Sequence, residues 1–322
     1  MVQYRNTGLK HKLPVIVVLV MVVLFAAGYA VAGEMLFPQP VQNAGPPEKK
    51  TEEYKKDLEP QVVELPKEQV TFLVLGMDAR PGEIKTRTDT MLFVSVNKKT
   101  SRIAVMSIPR DTRVQIPGAG YDKINNAHVY GGPELARKTV SQLLGVSIDH
   151  YVVVNFAGFK EVVDAVGGVD MYVEQNMNYY DQADGTHINL KKGQQHLDGE
   201  KALQYVRFRS YPRGDIDRVE HQQKFFKALV VKTLQPGTVT KLPELVSSIR
   251  KAVNTDLSLK DMLTLAYAAR NFSSAEIISQ TLPGRFMNYS GISYWYVQQE
   301  KAAAAVLALL DGKKTPVFQG SP

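Results

Sequence analysis

The chain has 322 residues, 44% of them hydrophobic and 22% charged, enough for one large or two ordinary domains with a buried core. It has no cysteine, which excludes disulfides, Cys-ligated zinc and thiol nucleophiles. A formal net charge of +7 points to an anionic partner: nucleic acid, a lipid headgroup surface or a phosphorylated polymer.

Residues 13–33 form an uncharged apolar run long enough to cross a hydrocarbon core as a helix. Arg5, Lys10 and Lys12 precede it, and Glu34 is the first ionisable residue after it. The positive-inside rule therefore predicts a cytoplasmic tail over 1–12, a membrane anchor over 13–33 and an extracytoplasmic remainder at the cell membrane. Ala30-Val31-Ala32 keeps a cleaved signal peptide open as the rival reading. Either arrangement leaves no role for nucleic acid. Residues 34–69 are rich in Pro, Glu and Lys and bury too little apolar area to offset ordering entropy, so they read as a stalk.

From Val70 the pattern changes. VTFLVLGM, TMLFVSV and RIAVMSI are short β-branched and aliphatic runs, nearly continuous in apolar character, as in strands covered on both faces. Two of them end in polar residues, at Gly76-Met77-Asp78 and at Ile108-Pro109-Arg110-Asp111, and ligands of open α/β sheets collect beyond strand ends. A helix is expected from Pro133 to a stop at Gly145, then a strand in YVVVNF, a helix in FKEVVDAVG and a strand in VDMYV. Further helices are expected over 199–206, 215–234, 242–252, 259–269 and 294–310, with a strand over 277–282. The alternation makes 70–322 one α/β domain, a central mixed β-sheet flanked by helices on both faces.

No P-loop, dinucleotide-binding glycine pattern, GxSxG or HExxH occurs, and the six histidines lack metal-ligand spacing. Carboxylates and arginines remain. Asp78 and Asp89 bracket a loop that also holds Arg80, Lys85 and Arg87, and two carboxylates at neighbouring strand ends suit Mg²⁺. Turn and capping chemistry explains the same aspartates equally well. Arg110 would point into this crevice, unless it only pairs with Asp111. Lys123, ahead of Gly131-Gly132 and a helix, is a further anion-binding candidate. Arg207, Arg209, Arg213 and Arg218 crowd the stretch YVRFRSYPRGDIDRVEHQQ, as in a phosphate clamp or a solvated basic helix face.

The ordered set Leu75-Gly76-Met77-Asp78-Ala79-Arg80, Arg87-Thr88-Asp89-Thr90-Met91, Ser107-Ile108-Pro109-Arg110-Asp111, Lys123-Ile124-Asn125, Val166-Gly167-Gly168-Val169 and Leu197-Asp198-Gly199 resembles signatures of the LytR-CpsA-Psr family. So do Ala202-Leu203-Gln204-Tyr205-Val206-Arg207-Phe208-Arg209 and Gly214-Asp215 leading to Arg218 and Gln222-Gln223, so that the motifs span about 70–270. The resemblance implies a membrane-anchored extracytoplasmic phosphotransferase. Such enzymes move a glycopolymer, such as wall teichoic acid or capsular polysaccharide, from a polyprenyl-pyrophosphate carrier to peptidoglycan. By the same resemblance Asp78 and Asp89 hold Mg²⁺, and Arg110, Arg207, Arg209, Arg218 and Gln222 surround the pyrophosphate, with Arg87 and Lys123 joining them. Catalytic roles are expected for Arg110, Arg209 and Arg218, with Asp89 and Asp111 as candidate bases. His221 departs from the family pattern, which often has a second Arg there. A non-catalytic wall- or lipid-binding regulator and a polyprenyl-pyrophosphate hydrolase are the alternative readings.

Overall fold

The computed structural model of the chain describes residues 62–77, 88–100, 102–180, 182, 185–208, 210, 221, 224–225, 228–229, 232, 242–262 and 276–317, without the side chains of 89, 242–244, 276 and 277. The predicted membrane segment lies outside these residues; among them no helix is long and apolar enough to cross a membrane.

Six strands build the central sheet: β1 (Gln69–Met77), β2 (Thr88–Asn97), β3 (Arg102–Ser107), β6 (His150–Asn155), β11 (Asn254–Thr255) and β12 (Glu276–Thr281). Their order is β11-β6-β1-β2-β3-β12. β6 and β12 run parallel to their neighbours β1 and β3, whereas β2 is antiparallel to both β1 and β3. The sheet is therefore mixed, and the C-terminal ends of β1, β3 and β6 share one edge with the start of β2.

Strand periodicity divides the apolar residues between two layers. Phe72, Val74, Leu92, Val94, Ile103 and Val105 share one core with α2 (Phe156–Ala165), α3 (Gly199–Arg207) and α4 (Leu242–Ala252). Leu73, Leu75, Met91, Phe93, Ala104 and Met106 face the other way, onto α1 (Asn126–Leu144) and α5 (Gln299–Leu310). Both faces are thus covered, as the continuous apolar runs require. The folded unit also begins upstream of residue 70, because Val63 bridges Val146 and Leu65 packs against the second core.

Four two-stranded ribbons surround the sheet, none of them anticipated as a pair: β4 (Arg113–Ile116) with β5 (Gly120–Lys123), β7 (Val169–Val173) with β10 (Gly193–Leu197), β8 (Met177–Tyr180) with β9 (His187–Leu190), and β13 (Arg285–Tyr289) with β14 (Ile292–Tyr296). The last ribbon corrects the expected helix over 294–310. Ser290 and Gly291 both adopt positive φ, 52° and 79°, which closes a tight hairpin turn and pairs Tyr289 with Ile292. Tyr294 to Tyr296 therefore finish a strand, and the helix starts at Gln299. The helix expected from Pro133 follows a glycine kink, and a short helical segment from Asn126, not anticipated, precedes it within α1. Gly132, at φ 67° and ψ −164°, interrupts it, so the glycine pair kinks a helix already under way.

Candidate active site

Of the sequence-predicted residues, Arg110, Asp111, Lys123 and Arg207 stand at the shared sheet edge. Beyond β3, Thr112 donates from both its backbone N–H and its hydroxyl to the Pro109 carbonyl, at 2.9 and 2.6 Å. This tight turn carries Arg110 and Asp111. Ile124 N–H donates to Thr112 O and Asn125 N–H to Arg110 O, so the end of β5 is zipped to the same turn. Trp295 N–H donates to Asp111 O at 2.9 Å, which ties in the β13–β14 ribbon.

Backbone pairing therefore fixes the side chains. Lys123 Nζ lies 2.6 Å from Asp111 Oδ1, and Arg110 Nε lies 3.9 Å from Asp111 Oδ2. Arg110 and Asp111 are each only 8% exposed. A buried ion pair is weak evidence of stabilisation, because desolvation offsets the Coulomb attraction. Within this trio two cations meet one carboxylate, so it presents one net positive charge toward the crevice. Lys123 Nζ also stands 5.8 Å from the Tyr294 ring centre. Burial pushes the Tyr294 phenol above its ordinary pKa, and the Asp122 carboxylate adds to the shift.

Arg207 reaches the same edge from the other core. It ends α3, a helix capped by Asp198, whose side chain accepts from Lys201 N–H at 2.9 Å. Its guanidinium lies 4.7 Å from the ring centre of Phe156, the residue directly after β6. Arg110 and Arg207 thus approach the sheet edge from opposite layers.

The start of β2 supplies a further feature. Gly76 pairs with Thr90 and Met77 with Thr88, a register shift that leaves Asp89 as the extra residue of a bulge. The hydroxyls of Thr88, Thr90 and Ser107 and the side-chain oxygen of Asn125 are buried without a hydrogen-bond partner. Buried polar groups are rarely left so, and these four cluster near strand ends. Such neutral hard oxygens suit a hydrated Mg²⁺ or bound phosphate with its waters. The Asp78 and Asp89 carboxylates expected to hold the metal lie outside the described side chains, and no group of three or more acidic or histidine side chains with metal-binding geometry occurs among the described residues.

Of the predicted residues, the structure brings Arg110, Asp111 and Lys123 into direct contact and puts Arg207 and the backbone of Asp89 at the same edge. Asp78, Arg87, Arg209, Arg218 and Gln222 lie outside the described residues, as do Arg80, Lys85 and Arg213. Asn125, Thr88, Thr90 and Ser107 were not singled out. Their signal was adjacency to the charged motif residues, since each lies within three positions of Lys123, Asp89 or Arg110.

His221 belongs to a neighbouring cluster. Its Nε2 lies 3.2 Å from Glu174 Oε2, which also accepts from the Tyr205 hydroxyl at 3.0 Å, while Lys224 Nζ donates to Glu174 Oε1 at 2.8 Å. Burial opposes the charge on Glu174. Hydrogen bonds from Lys224, its own backbone and Tyr205, with the nearby His221, outweigh that and hold the carboxyl below its ordinary pKa.

The family model of the LytR_cpsA_psr family matches residues 39–309. The chain belongs to the LytR-CpsA-Psr family. One relative is the polyisoprenyl-teichoic acid–peptidoglycan teichoic acid transferase TagU of Oceanobacillus iheyensis, 35% identical over 244 residues, which are 73% of each chain. The structure of TagT bound to LI-WTA matches with a TM-score of 0.57 at 32% identity, covering 76% of this chain and 90% of that one. The LytR-CPS2A-psr family protein YwtF (TagT) with bound octaprenyl pyrophosphate lipid matches with a TM-score of 0.54 at 31% identity, covering 80% and 92%. In this LytR-CpsA-Psr chain the mixed sheet with helices on both faces is the shared architecture, and the Arg110, Lys123 and Arg207 cations stand at one edge of it.

Proposed function

We propose that the chain is a transferase that moves a glycopolymer from a polyprenyl-pyrophosphate carrier to peptidoglycan, anchored in the cell membrane by residues 13–33 with its folded unit outside. The observation that carries this reading is the Arg110–Asp111–Lys123 trio at the sheet edge, with Arg110 and Asp111 buried and Arg207 arriving from the opposite layer. The bound lipid and wall polymer of its TagT relatives, and the name of its TagU relative, support the same chemistry.

In this reaction an acceptor hydroxyl oxygen attacks the phosphorus nearest the glycopolymer. The bond from that phosphorus to the bridging oxygen breaks, and polyprenyl phosphate leaves with the electron pair. Arg110, Lys123, Arg207, Arg209 and Arg218 neutralise the pyrophosphate and, with a hydrogen bond from Gln222, hold it in line for attack. Asp111 orients Lys123 and Arg110, and the hydroxyl proton passes to Asp111 or Asp89. A Mg²⁺ held by Asp78 and Asp89 would supply further charge neutralisation at the phosphates.

Transfer from a lipid-linked polymer to peptidoglycan, measured with and without the acceptor, tests the proposal. Arg110→Ala is expected to lower turnover by about 100-fold or more, the scale of losing one preorganised contact to developing charge. Pyrophosphate cleavage that proceeds equally well without peptidoglycan would make the protein a hydrolase. Lipid binding without any product would make it a binding protein.

A further inference from the structure

We propose that the aromatic surface on the β4–β5 and β13–β14 ribbons is the docking platform for the acceptor, a peptidoglycan glycan strand with its stem peptides. This rests on the transferase reading above. The Arg113 guanidinium is sandwiched between two tyrosine rings, 4.4 Å from the centre of Tyr121 and 4.8 Å from that of Tyr289. Both rings nonetheless remain about half exposed, 50% and 53%. One side of each ring is pinned by the guanidinium and the rest faces solvent.

The two ribbons are held in register. Thr112 bridges Trp295, and Trp295 N–H donates to Asp111 O at 2.9 Å, so the platform is fixed to the backbone of the candidate site itself. Its distance from the chemistry is set by strand geometry. Tyr121 and Lys123 are two residues apart on β5, so they face the same side about 7 Å from each other along the strand. An acceptor lying across Tyr121 would reach the crevice at Lys123 within about one to two sugar units of that length.

The chemistry of the surface selects the occupant. Its exposed apolar residues, Tyr121 and Tyr289, are both aromatic, and among the described residues no exposed aliphatic side chain accompanies them on the two ribbons. Planar amphipathic rings suit a partner with an apolar C–H face and a hydroxylated edge, which is the character of a pyranose ring. Arg113 and Arg285, the latter 5.2 Å from the Tyr296 ring centre, supply cations for the carboxylates of stem peptides. A second copy of this cationic face would meet like charge.

The test uses the full chain in detergent and two probes measured separately: soluble uncross-linked peptidoglycan strands, and a short prenyl pyrophosphate. Tyr121→Ala with Tyr289→Ala is expected to weaken strand binding, and to raise the acceptor KM, by about ten-fold or more. Tyr121→Phe with Tyr289→Phe keeps the ring faces and is expected to bind as the unmodified protein does. Prenyl pyrophosphate binding should be unchanged in both. Unweakened strand binding by the alanine variant overturns the platform, as does a parallel loss of pyrophosphate binding, which would make the surface part of the donor site. An unmodified protein that binds the pyrophosphate but no strand also overturns it while leaving the donor site standing. One that binds neither removes the transferase reading as well.

Discussion

Arg110 is held by covalent neighbours and hydrogen bonds more than by its charge. The Pro109–Thr112 turn, the contacts from Ile124 and Asn125 and the Asp111 carboxylate leave its side chain little room to relax. Such preorganisation matters because a cation already oriented toward a phosphate needs no rearrangement as charge develops. Glu174 illustrates the same point one layer away, where one carboxylate gathers Tyr205, His221 and Lys224 and thereby joins α3 to the helical residues that follow the Arg-rich stretch. Since its native pKa is lowered, its ionised form stabilises the fold above the ordinary glutamate range. That contribution is lost as pH falls through the ordinary range toward the lowered native value. Glu174→Gln is therefore expected to be less stable than the unmodified protein near neutral pH and to show a shallower loss on acidification. Urea unfolding at a series of pH values would check this, and parallel curves for the two proteins would refute it.

At the scale of elements, α2 is the pivot of the layer that carries Arg207. Asn155 caps it by accepting from Gly158 N–H at 2.8 Å, and Phe156 receives the Arg207 guanidinium. Gly158 is also where α4 comes closest, since an added Cβ would fall 2.1 Å from the Ala252 carbonyl oxygen. Backbone cannot yield as a flexible side chain can. Gly158→Ala should therefore push α2 and α4 apart, with a loss of about 1–3 kcal/mol, as for overpacking in general. Thermal unfolding would show this as a lower Tm, and Arg207 would lose its seat on Phe156 at the same time. An unchanged Tm would mean that the two helices are free to separate.

Across the whole molecule, the central sheet supports two cores that meet only through it. Phe93 on β2 is fully buried in the core shared with α1 and α5, whereas Tyr121 stands half exposed on a peripheral ribbon. Phe93→Ala is expected to cost about 3–5 kcal/mol through lost burial and a residual cavity. It should do so with the ribbons' surface chemistry untouched. Chemical denaturation measures the loss, and a cost below about 1 kcal/mol would contradict the two-core description.

The sequence by itself determined the sheet-and-helix class, because uninterrupted apolar strands cannot be stable unless both faces are covered. It also nominated Arg110, Asp111, Lys123 and Arg207 through motifs ordered along the chain, and the fold places these four at one sheet edge. Local signals failed where pairing partners are remote. The strand ending Tyr294 to Tyr296 reads as the start of a helix in the sequence, because its evidence is a partner strand and a positive-φ turn. Only the tertiary structure decided that Asp111 holds Lys123, that Arg207 rests on Phe156 and that Tyr121 and Tyr289 clasp Arg113. Each of these contacts joins segments that no periodicity connects. They are settled by sheet order and by the hydrogen bonds that lock the ribbons to the strand ends, which are properties of the folded chain.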